Sequence, residues 1–276
     1  MTSMATPSAS WQPVDVERVR AGQRTRDTDR AATEAPLEIR LHGRPFVMTM
    51  RTPGADLDLT AGFLLSEGVI GGPDDLASLT EASAPGDQDG VVDVTLAPAA
   101  AARLDDLLAS RRHVTATSAC GVCGRQSAAA LAFEAAPITA AWTIPATVVD
   151  TLPARLREAQ ATFEQTGGLH AAGVFGLDGA LIEAAEDVGR HNAVDKVVGR
   201  LLQRGVLPLS AGVLCVSGRA SFELVQKAVR AGLPMLVAVS APSTMAIALA
   251  HDRNLTLAGF VRGAGFNLYA HPHRIT

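Results

Sequence analysis

Two short apolar runs, each followed by a helical segment, constrain the fold of this chain more than any other feature. Ala211–Val216 and Leu233–Val239 carry no charge and are rich in Val and Leu, which is typical of strands that are buried on both faces. Ser221–Arg230 and Ser243–His251 follow them with helical spacing. Strands that alternate with helices in this way pack as a largely parallel sheet covered on both faces, so we expect an α/β fold.

The same region contains a stretch that is long enough to cross a membrane. Ala231–Ala250 has twenty residues without a charge, and about 20 apolar residues suffice to span a bilayer. Glycine, proline and hydroxyl side chains interrupt it at Gly232, Pro234, Ser240, Pro242, Ser243 and Thr244. We therefore interpret the stretch as a buried strand followed by a helix, and we expect no membrane association.

The rest of the chain divides into segments with different patterns. Residues 1–35 alternate basic and acidic side chains with few large apolar ones, which predicts a flexible N-terminal tail. Residues 36–116 combine short alternating strands with a helix that ends at Gly68, as in a small α+β domain. Residues 117–145 hold a cysteine pair and a connection, and residues 146–276 form the α/β domain.

The composition excludes several classes of function. The 24 Lys and Arg are outnumbered by 28 Asp and Glu, and only 4% of the 276 residues are aromatic. Neither a basic surface nor a stacking platform for nucleic acid is therefore expected. Three cysteines are an odd number that does not suit a disulfide framework, and the N-terminus lacks the apolar segment of a signal peptide. We expect a cytoplasmic protein.

Cys120 and Cys123 stand in a loop of small residues and glycines, with Arg125 close enough in sequence to stabilise a thiolate. Three chemistries suit such a pair: thiol–disulfide exchange, zinc ligation and sulfur relay through a persulfide. A structural zinc site needs four ligands, but the nearby sequence supplies only His113, and Cys215 lies in an apolar strand. We therefore predict no metal site and favour a reactive cysteine pair.

Three further loops rich in glycine and arginine follow predicted strands: Glu186–Asn192, Ser217–Arg219 and Phe260–Gly265. In an open α/β sheet, ligands bind beyond the carboxyl ends of the strands, and helix N-termini there favour phosphate. The loops together therefore indicate a pocket for a phosphate-rich cofactor.

Individual residues of these loops also have structural interpretations. Asp187 and Ser217 suit helix N-caps. His191 opens a helix beside Arg190 and one turn before Asp195, so it is either a proton-transfer group or a structural histidine.

Several segments, in this order, resemble the formate dehydrogenase accessory sulfurtransferase family (FdhD). They are Leu65–Gly68, Cys120–Gly124, Glu186–Lys196, Ser217–Glu223, Ala238–Thr244 and Tyr269–Pro272. The likeness runs from about residue 35 to the C-terminus. It implies that residues 146–276 form a cytidine-deaminase-like mixed sheet with helices on both faces and without the zinc site of those enzymes, beside the smaller α+β unit.

The resemblance also implies a sulfurtransferase. Family members accept sulfane sulfur from a cysteine desulfurase as a cysteine persulfide. They pass it to the molybdenum or tungsten bis(pterin guanine dinucleotide) cofactor of formate dehydrogenase. By this resemblance Cys120 carries the persulfide and Cys123 assists. The residues expected to bind the cofactor are Phe260, Val261, Arg262, Gly263, Ala264 and Gly265, together with Arg190, His191, Ser217 and Arg219 from the other loops.

Three other functions stay open at this point. The first is a chaperone that binds the cofactor but transfers no sulfur, the second a zinc-stabilised interaction module, and the third a dithiol oxidoreductase. The expected partners are a cysteine desulfurase, the catalytic subunit of formate dehydrogenase and a second copy of the chain, since two-fold homodimers are the commonest assembly.

Overall fold

The structure is a computed structural model that describes residues 10–82, 89–104, 135–263 and 265–276. Its strands are β1 (Trp11–Arg20), β2 (Gln23–Ala32), β3 (Ala35–Leu41), β4 (Arg44–Arg51), β5 (Leu76–Glu81), β6 (Gly90–Leu96), β7 (His170–Phe175), β8 (Leu181–Asp187), β9 (Val213–Val216), β10 (Met235–Ala238), β11 (Thr256–Gly259) and β12 (Asn267–Ala270). Its α-helices are α1 (Asp56–Ser66), α2 (Pro98–Ala101), α3 (Ala146–Glu158), α4 (Ala161–Thr166), α5 (Arg190–Gln203), α6 (Phe222–Arg230) and α7 (Thr244–Asp252). None of these helices is long and apolar enough to cross a membrane.

Strands β1 and β2 form an exposed antiparallel hairpin. The predicted flexible tail is therefore wrong for residues 11–32. The alternating charges that predicted a solvated tail instead face each other across the ribbon, where opposite charges favour pairing. Arg18 Nε lies 2.6 Å from Asp27 Oδ2, and the Arg30 guanidinium stacks 4.6 Å from the ring centre of Trp11.

Strands β3 to β6 form a four-stranded sheet in the order β4-β3-β6-β5. The alternation of β3 places Leu37, Ile39 and Leu41 in the core, where they join residues of α1. At the start of α1, Asp56 accepts two hydrogen bonds from the buried guanidinium of Arg51, at 2.7 and 3.0 Å. These elements are those of the predicted α+β unit.

The other sheet has six strands in the order β12-β11-β10-β9-β7-β8. Its centre, β9-β10-β11, is parallel, whereas β7, β8 and β12 pair antiparallel. Alternate residues face opposite sides, so Leu214 packs with the core that includes α5, α6 and α7, and Val213 packs with α3. The predicted α/β class, a mixed sheet with helices on both faces, is confirmed.

The two units meet where α1 crosses α5, at Gly62 and Gly199. A Cβ atom at Gly62 would collide with the main-chain oxygen of Asp195, and one at Gly199 with that of Asp58. The helices approach so closely because neither carries a side chain at the crossing. Residues of both units belong to one hydrophobic core, which fixes the α+β unit against α5.

Candidate anion-binding site at the strand ends

The loops that follow β9, β10 and β11 lie side by side at one edge of the sheet. The Ser240 main-chain N–H donates to the Gly218 oxygen at 3.2 Å, and the Phe260 N–H donates to the Ser240 oxygen at 3.2 Å. Strand β8 ends at the same edge with Asp187, which stands opposite His170 at the start of β7. The three loops that we predicted to hold a ligand follow β8, β9 and β11, and the structure therefore brings them together at one edge of the sheet.

Arginine and histidine side chains gather at this edge. Burial, followed by the nearby charges of Arg190 and His191, lowers the pKa of His170; Asp187 opposes this shift, and Arg219 adds a smaller lowering effect. Arg219 is exposed. The Nε atom of Arg190 is buried and has no hydrogen-bond partner among the described residues. A cationic cluster with an unused buried donor suits a ligand that carries negative charge.

Two helix N-termini add to this positive potential. Helix α5 begins at Arg190, and α6 begins at Phe222. Gly189, the N-cap residue of α5, has no side chain to cap the helix, and the side chain of Ser221, the N-cap residue of α6, accepts no hydrogen bond from the first turn. The first N–H groups of a helix lack intrahelical acceptors and carry partial positive charge. Helix α5 therefore presents an anion-binding end beside Arg190. At α6 the carboxylate of Glu223 in the first turn already accepts a main-chain N–H and offsets part of the positive charge.

His191 is held against α6. Its Nε2 atom lies 3.5 Å from Glu223 Oε2 and 3.4 Å from Ser221 Oγ. The hydrogen bond with His191 lowers the pKa of Glu223 to about 2, so this carboxylate is ionised at neutral pH. Asp195, one turn along α5, pairs with Lys227 and not with His191. Both of its carboxylate oxygens lie 2.7 Å from Lys227 Nζ.

Asp187 anchors the loop that leads into α5. Its Oδ2 atom lies 2.7 Å from Lys196 Nζ and accepts from the Thr52 N–H at 3.1 Å. Its Oδ1 atom accepts from the Gly189 N–H at 2.8 Å and from Asn192 Nδ2 at 2.9 Å. Because Asp187 is fully buried and its two oxygens are occupied by these partners, it is a structural anchor. Through Thr52 it also ties the site to the α+β unit.

The loop after β11 contains a strained residue. Phe260 has φ = 56°, in the left-handed region that non-glycine residues rarely adopt. Such strain clusters at functional sites. The exposed Arg262 guanidinium lies 5.9 Å from the Phe260 ring centre, within the range of a cation–π interaction. Gly263 and Gly265 have open space where a Cβ would stand, so their backbone is accessible to a ligand.

The profile of the FdhD/NarQ family matches residues 32–276, from the end of β2 to the C-terminus. The chain belongs to the FdhD/NarQ family. A sulfur carrier protein FdhD from Streptomyces avermitilis is 52% identical in an alignment 273 positions long that covers 94% of this chain and 94% of the relative. The sulfur carrier protein FdhD of Mycobacterium tuberculosis is 48% identical in an alignment 254 positions long that covers 89% of this chain and 91% of the relative.

A solved structure agrees with this membership of the FdhD/NarQ family. The crystal structure of a protein described as a formate dehydrogenase accessory protein, from Desulfotalea psychrophila, superposes with a TM-score of 0.76 at 25% identity. The match covers 97% of this chain and 100% of that chain. The arrangement of sheets and helices is thus one that the FdhD/NarQ family shares.

Two predicted contact residues of this FdhD/NarQ protein have structural contacts of their own. The Val261 side chain is fully buried, and its N–H donates to the Ala238 oxygen at 3.1 Å. The Ser217 hydroxyl accepts from the Ala171 N–H at 2.9 Å, which links β9 to β7. Ala264, Cys120 and Cys123 lie outside the described residues.

His170 is a site residue that the sequence patterns did not reveal. It is the first residue of β7, and the site forms around it because β7 lies between β8 and β9 in the sheet. Strand order depends on contacts that are distant in sequence, so no local pattern pointed to this histidine. Within the described residues, no group of three His, Cys, Asp or Glu side chains is arranged to hold a metal ion.

Proposed function

We propose that this protein is a sulfur carrier that serves formate dehydrogenase. Cys120 accepts sulfane sulfur from a cysteine desulfurase as a persulfide and delivers it to the molybdenum or tungsten bis(pterin guanine dinucleotide), which is the acceptor substrate. The carrier role is supported by relatives named sulfur carrier protein FdhD. The observation that carries the acceptor role is the cationic cluster around His170, with the buried unpaired Nε of Arg190.

The loading step is a displacement at sulfur. The Cys120 thiolate attacks the outer sulfur of the donor enzyme's persulfide, and a new S–S bond forms on Cys120. The S–S bond of the donor breaks, and its electron pair leaves with the donor's cysteine as a thiolate. One disulfide-type bond is exchanged for another, so the step needs no external oxidant or reductant.

Cys215 is a poor candidate for this chemistry. Its side chain is fully buried in β9, and burial raises the pKa of its thiol. The thiolate is the nucleophile in sulfur exchange, so a thiol that stays protonated and enclosed does not react. The reactive chemistry therefore falls to Cys120 and Cys123, and Cys215 provides a matched control.

The strand-end site suits the acceptor because each half of a bis(guanine dinucleotide) carries a pyrophosphate. Arg190, Arg219 and Arg262 offer charge-assisted donors to phosphate oxygens. The N-terminal N–H groups of α5 add further donors. Gly218 and Gly263 allow phosphate or guanine to approach the main chain.

Sulfur loading is the first test. After incubation with a cysteine desulfurase and cysteine, we expect intact-mass spectrometry to detect one added sulfur that a reductant removes. Cys120→Ala should abolish the gain, because it removes the attacking thiolate, whereas Cys215→Ala should load as the wild type does. Equal loading of Cys120→Ala and the wild type would show that another group carries the sulfur, and the proposed carrier chemistry would be wrong.

Acceptor binding is the second test, with guanosine diphosphate as the probe. Loss of one charge-assisted hydrogen bond costs about 1.5–3 kcal/mol, so Arg190→Gln should weaken binding by roughly 10- to 150-fold in titration calorimetry. Arg24→Gln is the matched control, since Arg24 lies on the exposed hairpin. Unchanged affinity in Arg190→Gln, Arg219→Gln and Arg262→Gln would place the nucleotide elsewhere.

The competing functions give different results. A cofactor chaperone without sulfur transfer predicts that both cysteines are dispensable for formate dehydrogenase activity while Arg262 is required. A zinc-stabilised module predicts stoichiometric zinc in the purified protein, and a dithiol oxidoreductase predicts turnover of a disulfide substrate. The homodimer and the cytoplasmic location stay predictions.

A further inference from the structure

His170 is a titratable group at the site without a bonding partner. Its side chain is half-buried, and its ring forms no hydrogen bond or ion pair with the described residues. A Cβ atom at Gly218 would lie 3.5 Å from its Nδ1 atom, so the glycine leaves space beside the ring. An imidazole that faces such a space can bond to a ligand that enters it.

The charges around His170 come from each element that surrounds it. Helix α5 contributes Arg190 and His191, the loop after β9 contributes Arg219, and β8 contributes Asp187. Asp187 is already paired inside the protein. Burial and the cationic neighbours oppose a further positive charge, which lowers the pKa of His170 below its ordinary value of 6.5. The free protein therefore holds a neutral imidazole at neutral pH.

We propose that His170 couples ligand binding at this site to uptake of a proton: it is neutral in the free protein and becomes an imidazolium when phosphate groups bind beside it. The inference rests on the proposed function, because it requires an anionic acceptor at the strand ends. Burial and the charges of its neighbours together keep the ring neutral. The bound phosphates offset the charges of Arg190 and Arg219, so they reduce the repulsion and offer the imidazolium a counter-charge. Both nitrogens of the imidazolium donate hydrogen bonds, one of which reaches a phosphate oxygen.

The direction of the pH dependence follows from this coupling. The ligand raises the proton affinity of His170, so by linkage the proton raises the affinity for the ligand. Binding therefore weakens as the pH rises between the pKa of the free ring and that of the bound ring. For one proton the limit is a tenfold loss of affinity for each pH unit.

The test uses GDP-mannose, a guanosine pyrophosphate diester whose phosphates do not titrate near neutral pH. Calorimetric titration of the full chain in two buffers of different ionisation enthalpy measures the protons taken up on binding. We expect the wild type to take up a substantial fraction of a proton at about pH 7 and to lose affinity by several-fold from about pH 6 to 8. His170→Gln should bind more weakly and take up no proton.

Two further variants separate this role from a structural one. His170→Lys keeps a positive charge without a change of protonation, so we expect binding that is nearly independent of pH. His273→Gln alters an exposed histidine near the C-terminus and should behave as the wild type does. Binding with equal proton uptake in the wild type and His170→Gln would overturn the inference alone. No binding of GDP-mannose to any variant would overturn the acceptor site, and this inference with it.

Discussion

Gly199→Ala is expected to lower the melting temperature by roughly 6–12 °C. On an exposed helix the same change stabilises by about 0.5–1 kcal/mol, because alanine is the better helix former. Here the new methyl group would collide with the main chain of Asp58 and with the Gly62 nitrogen. Main-chain atoms of a helix cannot rotate away as a side chain can, so α1 and α5 must separate. We therefore expect a cost of about 3 kcal/mol, at the upper end of the usual range for overpacking.

The measurement is thermal unfolding followed by circular dichroism. Gly62→Ala should have a similar effect, because its methyl group would meet the main chain of Asp195. Gly72→Ala is the matched control, since no atom lies within 4 Å of the added methyl position and its φ is extended. A melting temperature for Gly199→Ala equal to or above that of the wild type would mean that the two helices do not cross at these glycines.

The central part of the fold could be predicted from the sequence because its signals are local. The apolar runs Ala211–Val216 and Leu233–Val239 contain β9 (Val213–Val216) and β10 (Met235–Ala238), which are fully buried. A short uncharged apolar run between two helices is typical of a strand in a sheet whose two faces are covered by helices. Ligands bind at the carboxyl ends of such strands. This rule predicts that Ser217–Arg219 and Phe260–Gly265 lie together.

Features that depend on distant contacts could not be predicted in this way. The hairpin of residues 11–32 forms through charge pairs across the ribbon and the stacking of Arg30 on Trp11, and its composition resembles that of a solvated tail. His170 enters the site only because β7 lies beside β9. The sequence likewise suggested Asp195 as a partner for His191, but α6 supplies Glu223 instead.

The buried charges show why the loop before α5 is so rich in polar residues. The segment from Glu186 to Lys196 resembles a ligand-binding motif, but much of it holds the loop in place. Asn192 Nδ2 donates to the Met50 oxygen at 2.7 Å, and Lys196 Nζ donates to the Thr52 oxygen at 2.8 Å. Arg190 is left without such a bond at its Nε. The motif therefore combines several groups that join the two units with one, Arg190, that we propose for the ligand.

Asp187→Ala tests this division, and we expect it to lower the free energy of unfolding by about 3–5 kcal/mol. The change leaves the Lys196 ammonium, 4% exposed, without its counter-ion. It also removes the acceptor of three donors, the Thr52 and Gly189 N–H groups and Asn192 Nδ2. Urea unfolding would measure the loss, with Asp74→Ala as the control, because Asp74 is exposed.

The double variant Asp187→Ala/Lys196→Met distinguishes the unpaired charge from the lost hydrogen bonds. Removing the ammonium removes the uncompensated buried charge, so the double variant should recover part of the stability lost by Asp187→Ala alone. Asp187→Ala should also weaken the binding of guanosine diphosphate, because the loop that leads to Arg190 loses its anchor, and the double variant should not recover this affinity. If the double variant recovers no stability, the lost hydrogen bonds alone account for the lower stability of Asp187→Ala. Recovery of wild-type affinity would mean that α5 positions Arg190 without help from Asp187.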